Sequence, residues 1–194
     1  MATLLANQLQ SQLVIIDIQV KLAPAMAAEA LQSVIKNAAI LVQASTLMQV
    51  PVLVTEQYPQ GLGETLPEIK QHLPSNKVIV KTAFSACGEP KFNQQLHRDK
   101  PQIILIGMES HVCVLQTALD LLAAGKQVFV VEDAIISRNH SNQITANQIS
   151  ANKTNAIARM RDAGCIITNT ESVVFEWLGD AKHPAFKAIS ALIK

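Results

Sequence analysis

Ile103-Ile104-Leu105-Ile106, followed by Gly107, constrains the fold more than any other stretch of the chain. A run of four aliphatics reads as a buried strand, and the glycine ends it. Beyond it, Val114, Leu115, Ala118, Leu119 and Leu122 fall on one face at three- and four-residue spacing, which predicts a helix over 114–124. Ser110 is placed to cap that helix through its hydroxyl. Cys113 therefore falls at a strand-to-helix junction, in or beside the first helical turn. Free amides and the positive end of the helix dipole favour a thiolate there. In an open parallel sheet this is also the edge at which ligands bind. The competing reading is a free cysteine that simply packs, so the rest of the chain has to supply partners for the thiol.

The strand-then-helix pattern recurs along the chain. Residues 13–17, 50–55, 77–81, 127–132 and 165–168 read as five further strands. Their aliphatics occupy both parities, as in a parallel sheet covered on both faces. A long helix is expected over 27–48, with Leu31, Val34, Ile35, Ala38, Leu41 and Val42 as its apolar stripe. Residues 90–96 suit a brief helix. Residues 141–163 read as mostly helical, carrying Ile144, Ile149, Ile157 and Met160 and stopped by Gly164. Helices over 171–178 and 184–193 close the chain, and 56–67 is a loop rich in Gly and Pro. Strands alternating with helices imply a doubly wound α/β protein. The expected architecture is a Rossmann-like three-layer α/β/α sandwich around a central, mostly parallel six-stranded sheet. Neither a repeat nor a linker divides the sequence, so 1–194 is expected to form a single domain.

Composition narrows the function. A formal net charge of +1 gives no case for nucleic acid or a membrane surface as partner. The first eight residues lack the basic and long apolar regions of a signal peptide, and no apolar run is long enough to span a bilayer. Cys87, Cys113 and Cys165 are an odd number without framework spacing, which fits a reduced thiol protein of the cytoplasm.

Three polar residues lie at strand ends: Asp17 after the first, Lys81 after the third and Cys113 beyond the fourth. Strand ends of one parallel sheet share an edge, so these three can converge. Alone, Asp17 reads as a cap or loop carboxylate and Lys81 as an exposed terminal charge. Together they can neutralise each other, and a carboxylate within reach of a thiol can take its proton. The helix start and the Lys81 ammonium are expected to depress the Cys113 pKa, with Asp17 opposing them.

These residues sit in motifs that resemble the isochorismatase-like cysteine hydrolases. The motifs are LVIIDIQ from Leu13, VTEQYPQGLG from Val54, KTAFS from Lys81, GMESHVCVLQTALDL from Gly107 and DAIISR from Asp133. The resemblance implies that Asp17, Lys81 and Cys113 form a catalytic triad. It also implies a cis peptide at Met108–Glu109 and an oxyanion hole built from the amides of Glu109 and Cys113. Relatives that use a metal carry an Asp/His cluster after the second strand. This chain has Glu56-Gln57-Tyr58-Pro59 there, and none of its five histidines forms a spaced ligand pair. Members that cleave isochorismate typically lack the nucleophilic cysteine, which is present here. The expected activity is therefore cofactor-free hydrolysis of a small amide or related C–N bond through a thioester. Family resemblance and an apolar helical surface suggest a homo-oligomer, dimer or tetramer.

Four neighbours are substrate-binding candidates, each with a plainer reading. Gln19 either lines the pocket and orients Asp17 or is a surface residue. Tyr58 either forms part of a lid or packs its own loop. Phe84 is an apolar wall or a core aromatic. His111 faces the pocket or bonds locally. The Glu109 carboxylate holds the turn, Ser137-Arg138 caps and positions the next helix with anion binding by Arg138 the lesser alternative, Cys165 packs, and Trp177 packs or makes a subunit contact. The alternative in another class is a non-catalytic small-molecule or protein-binding module on the same fold. A nucleotide-binding protein ranks last, because no Gly-rich phosphate loop follows the first strand. Protein purified without added metal is expected to carry no stoichiometric zinc, iron or manganese by elemental analysis. Activity lost on chelation and regained with one metal would overturn that.

Overall fold

A computed structural model describes residues 4–74, 77–138 and 150–194. Six strands, β1 (Ser11–Ile16), β2 (Val52–Gln57), β3 (Ile79–Lys81), β4 (Gln102–Met108), β5 (Gln127–Ile136) and β6 (Ile166–Thr168), form one sheet. Its order is β3-β2-β1-β4-β5-β6, and every pairing of these strands is parallel. The helices are α1 (Ala28–Leu47), α2 (Pro59–Leu62), α3 (Pro67–Lys70), α4 (Pro90–Gln95), α5 (Leu115–Ala123), α6 (Ala151–Asp162), α7 (Thr170–Leu178) and α8 (Phe186–Ile193). Among the described residues no helix is long and apolar enough to cross a membrane.

Side chains alternate across a strand, and β1 divides its aliphatics accordingly. Leu13 and Ile15 join Val34, Ala38 and Leu41 of α1, Val173, Val174 and Trp177 of α7 and Ile189 of α8 in one apolar layer. Val14 and Ile16 join Phe92 of α4, Ala118 and Leu121 of α5 and Ala156 and Met160 of α6 in the other. The result is the expected three-layer sandwich. Trp177 packs as its position implied, and its indole N–H donates to Ser11 Oγ at 3.1 Å.

The elements differ from the pattern-based reading where polar residues interrupt it. Strand β2 runs on through Glu56 and Gln57, so the loop expected over 56–67 begins later and contains α2. Strand β5 passes Glu132 and Asp133 and ends at Ile136, because Ala134, Ile135 and Ile136 are buried again. Its register with β4 shifts between Leu105↔Val130 and Gly107↔Ile135. Helix α5 begins at Leu115, preceded by one turn of π-helix over Ser110–Val114. The N-terminal part of the helix expected over 141–163, with Ile144 and Ile149, lies outside the described residues.

One glycine fixes how closely β1 and β4 approach. Gly107 has φ +132°, and a Cβ there would stand 2.0 Å from the Ile16 carbonyl oxygen and 2.8 Å from its carbon. The obstacle is backbone paired in register with Gly107, so it cannot step aside. Gly125 also has positive φ but meets nothing within 4 Å. Gly107→Ala is expected to cost more than about 3 kcal/mol in urea unfolding, and Gly125→Ala only about 1 kcal/mol. Equal costs would mean that the β1–β4 approach is not tight.

Candidate active site

Parallel strands bring their C-terminal ends to one edge, and Asp17, Lys81 and Cys113 all lie there. Asp17 follows β1 in the left-handed region, with φ 50°. Lys81 ends β3, two strands away across β2. Strands lie about 4.8 Å apart, so a long side chain is needed to span the gap. The Lys81 ammonium reaches Asp17 Oδ2 at 2.7 Å, with both side chains fully shielded from solvent. Thr55 Oγ1 donates to Asp17 Oδ1 at 2.8 Å. Lys81 Nζ donates to Gln57 Oε1 at 2.6 Å and to the carbonyls of Ala83 and Phe84 at 3.1 and 3.0 Å. The chain after β3 thus folds back over the ammonium.

Cys113 sits in the π turn and is 7% exposed. Its thiol is pushed up to about 12, first by burial and then by the charge of Asp17, while Lys81 pulls it down. The expected depression is therefore reversed. Lys81 is paired with Asp17, so the thiol faces a nearly neutral pair, and removal from water decides the sign. Ser110 is no cap either: Glu109 is the N-cap residue, without a side-chain capping bond, and the buried Ser110 hydroxyl has no partner among the described residues. The Met108–Glu109 peptide is cis, as the resemblance implied.

A cavity of about 320 Å³ opens over Cys113. Leu22, Leu62, Phe84 and Val112 supply its apolar wall; Gln57, Glu109 and Arg138 supply the polar one. Of the four substrate-binding candidates, Phe84 lines this cavity and is 55% exposed. Gln19 does not line it: completely buried, it donates to the Gln57 and Gly63 carbonyls and accepts from the Gln57 N–H, pinning the chain after β2. Tyr58 does not line it either; its ring is exposed and its carbonyl accepts from Gly61 and Leu62, setting up α2. The His111 ring bonds Ser137 Oγ at 2.9 Å through Nδ1 and lies outside the cavity wall.

Glu109 ties the π turn to the end of β5, accepting from the Arg138 N–H at 3.1 Å and pairing with Arg138 Nη2 at 3.2 Å. Ser137 and Arg138 thus bond back toward the π turn. Thr55, Gln57, Leu22, Leu62 and Val112 escape the residue-type reading, and Arg138 enters it as a helix-positioning residue with anion binding as the lesser alternative. Thr55 and Gln57 did carry a signal, as alternate residues at the C-terminal end of a strand feeding the same edge. Glu56, in the segment where metal-using relatives carry ligands, is turned to Thr65, accepting from its N–H and its hydroxyl at 2.6 and 2.8 Å. Among the described residues no group of three His, Cys, Asp or Glu could hold a metal ion.

Comparison with known proteins identifies the family of this fold. Residues 11–172 match the isochorismatase domain. The chain is 35% identical over 189 residues to isochorismatase family protein 1B of Dictyostelium discoideum, covering 95% of this chain and 86% of that one. It is 39% identical over 164 residues to isochorismatase domain-containing protein 2 of Homo sapiens, covering 83% and 73%. The solved structure of MAR1 ribonuclease from Caenorhabditis elegans superposes with a TM-score of 0.86 at 37% identity, covering 96% of this chain and 91% of that one. The chain belongs to the isochorismatase family, and its fold is that of the family's hydrolases.

The thiols make a pH prediction. Burial raises Cys87 and Cys165 to about 11, alongside Cys113 at about 12, from an ordinary value of 9.0. Above about pH 8.5 the unfolded chain sheds thiol protons that the folded chain keeps. Stability is therefore expected to fall as pH rises from there toward about 12, and to be indifferent to the thiols below that window. Urea midpoints between about pH 8 and 10.5 should fall less steeply in Cys113→Ala than in the native protein. Equal slopes would mean that Cys113 titrates as an ordinary thiol.

Proposed function

We propose that this chain is a cofactor-free cysteine hydrolase of one domain that cleaves a small amide or related C–N bond through a thioester on Cys113. The observation that carries the reading is a buried thiol at the wall of a cavity, acted on by a fully shielded carboxylate–ammonium pair. A thiol held up to about 12 is neutral at rest, so it needs a base to become a nucleophile. Asp17 is the carboxylate that acts on it.

In the proposed cycle Asp17 accepts the Cys113 proton. The thiolate sulfur bonds to the substrate carbonyl carbon, and the carbonyl π pair moves to oxygen. The amides of Glu109 and Cys113 hold that oxyanion. As the pair returns, the C–N bond breaks and Asp17 gives its proton to the departing amine. Asp17 then takes a proton from water, whose oxygen displaces sulfur from the thioester. The acid leaves, and the proton returns to Cys113. Lys81 holds Asp17 and stabilises the thiolate.

The cavity is at the small end of the range for small-molecule sites. Its wall carries one guanidinium, Arg138, which is already paired with Glu109. That pairing and the net charge of +1 favour a small molecule over the ribonucleic acid suggested by the nematode protein's name. The same reading takes neither membrane nor nucleic acid as partner. It makes the protein a cytoplasmic homo-oligomer, dimer or tetramer. A binding module on the same fold would have no need of a buried base next to its thiol.

The test is a hydrolysis screen of small amides, ureido acids and carbamates. With a turned-over compound in hand, Cys113→Ala is expected to lose about 10⁴-fold or more in kcat, while Cys87→Ala and Cys165→Ala stay active. Full activity in Cys113→Ala would end the cysteine-hydrolase reading.

A further inference from the structure

We infer that Thr55 and Gln57 of β2 are positioning residues that leave Asp17 Oδ2 as the acceptor open to the Cys113 proton, an inference that rests on the cysteine-hydrolase reading. Strand β2 lies between the strand that carries Asp17 and the strand that carries Lys81. Thr55 and Gln57 are two residues apart on it, so their side chains leave the same face. Thr55 pairs with Ile16 and Gln57 with Lys81 in register, which puts one beside each member of the ion pair.

The two residues divide the polar contacts of that pair. The fully buried Thr55 hydroxyl donates to Oδ1 at 2.8 Å; its other acceptor, the Ile15 carbonyl, is farther at 3.5 Å. An ammonium has three protons. Those of Lys81 have three acceptors: Gln57 Oε1 and the carbonyls of Ala83 and Phe84. The Gln57 amide is itself oriented, since Nε2 donates to the Thr82 carbonyl at 2.7 Å and leaves Oε1 to the ammonium. Lys81 nitrogen stands 2.7 Å from Oδ2 as an ion pair, and no hydroxyl or amide donor bonds this buried oxygen among the described residues.

Asp17 Oδ2 thus carries the ion pair with Lys81. Its partner oxygen is occupied by Thr55. In the first step the S–H bond of Cys113 breaks, its proton bonds Oδ2, and the electron pair stays on Sγ. Asp17 and Lys81 are the charged groups that act on the Cys113 thiol, and the Glu109–Arg138 pair lines the cavity over Cys113.

The experiment follows alkylation of Cys113 by iodoacetamide with peptide mass spectrometry across the acid range. It needs no substrate. Asp17→Asn identifies the limb of the rate profile that belongs to the carboxylate. Thr55→Val removes a hydrogen bond from the carboxylate, which then holds its proton more tightly, so that limb moves up by about one pH unit. Thr55→Ser keeps the hydroxyl and restores its position. Gln57→Met removes an acceptor from the ammonium, which then pairs more strongly with Oδ2, so the limb moves down. A purely structural role would not produce opposite shifts in variants whose melting temperatures show them folded. Should Thr55→Val not fold, Thr55→Ala is read in the same way. Limbs unmoved in both positions, with the limb still lost in Asp17→Asn, would overturn this inference alone. A limb that survives Asp17→Asn would remove the hydrolase reading itself, and this inference with it.

Discussion

The architecture of this site depends on two opposite charges buried together. Removing a carboxylate and an ammonium from water costs several kcal/mol each, and their attraction offsets this only when the remaining polar contacts are made. Asp17 and Lys81 are both fully shielded. Around them, Thr55 supplies a donor, and Gln57, Ala83 and Phe84 supply acceptors. The surrounding chain follows from that demand. The turn after β3 bends back so that two carbonyls face the ammonium. Gln19 holds the Gln57 backbone from behind, so a residue outside the cavity fixes one that lines it.

The same pair explains why Cys113 keeps its proton. A lysine near a cysteine lowers the thiol only to the extent that its charge is uncompensated. Here the ammonium faces a carboxylate at 2.7 Å, and the thiol experiences burial and Asp17 more strongly than Lys81. A resting thiolate is therefore the wrong picture for this junction. On the proposed reading, the proton is moved by Asp17 during the reaction rather than shed beforehand. The junction supplies position, and the neighbouring strand supplies the chemistry.

The layers and the shared edge were legible because they rest on patterns that tertiary contacts reinforce. Aliphatics on both parities report burial on both faces, and strand-helix alternation leads to a parallel sheet whose ends align. That alignment is enough to bring together Asp17, Lys81 and Cys113 from three distant segments. What a residue contributes once there depends on ångström-scale partners that no spacing encodes. Gln19 is completely buried with both ends of its amide bonded, and His111 is turned to Ser137. The charge state of Cys113 depended on whether Lys81 was already paired. The π turn and the extended end of β5 were hidden by polar residues that interrupt a pattern without ending the element. Thr55 and Gln57 lay within reach of the edge argument, but glutamine and threonine in a strand carry no chemical alarm of their own.

The cavity wall adds a constraint on what the site can recognise. Glu109 is 6% exposed and is held by Arg138 through both a backbone N–H and the guanidinium, so the pair presents little net charge to a ligand. The opposite wall is Leu22, Leu62, Phe84 and Val112. On the proposed reading, a substrate would draw its affinity from apolar contact, worth about 25 cal/mol per Å² removed from water, and its orientation from the few polar atoms near Cys113. A ligand that drew Arg138 away from Glu109 would leave a buried carboxylate without its counter-charge, which is costly. Glu109 also forms the C-terminal half of the Met108–Glu109 peptide, next to the turn that carries Cys113. Disturbing its carboxylate would therefore disturb the backbone that carries Cys113. On the proposed reading, selection for a neutral, partly apolar amide and preservation of the site's geometry are then consequences of one contact.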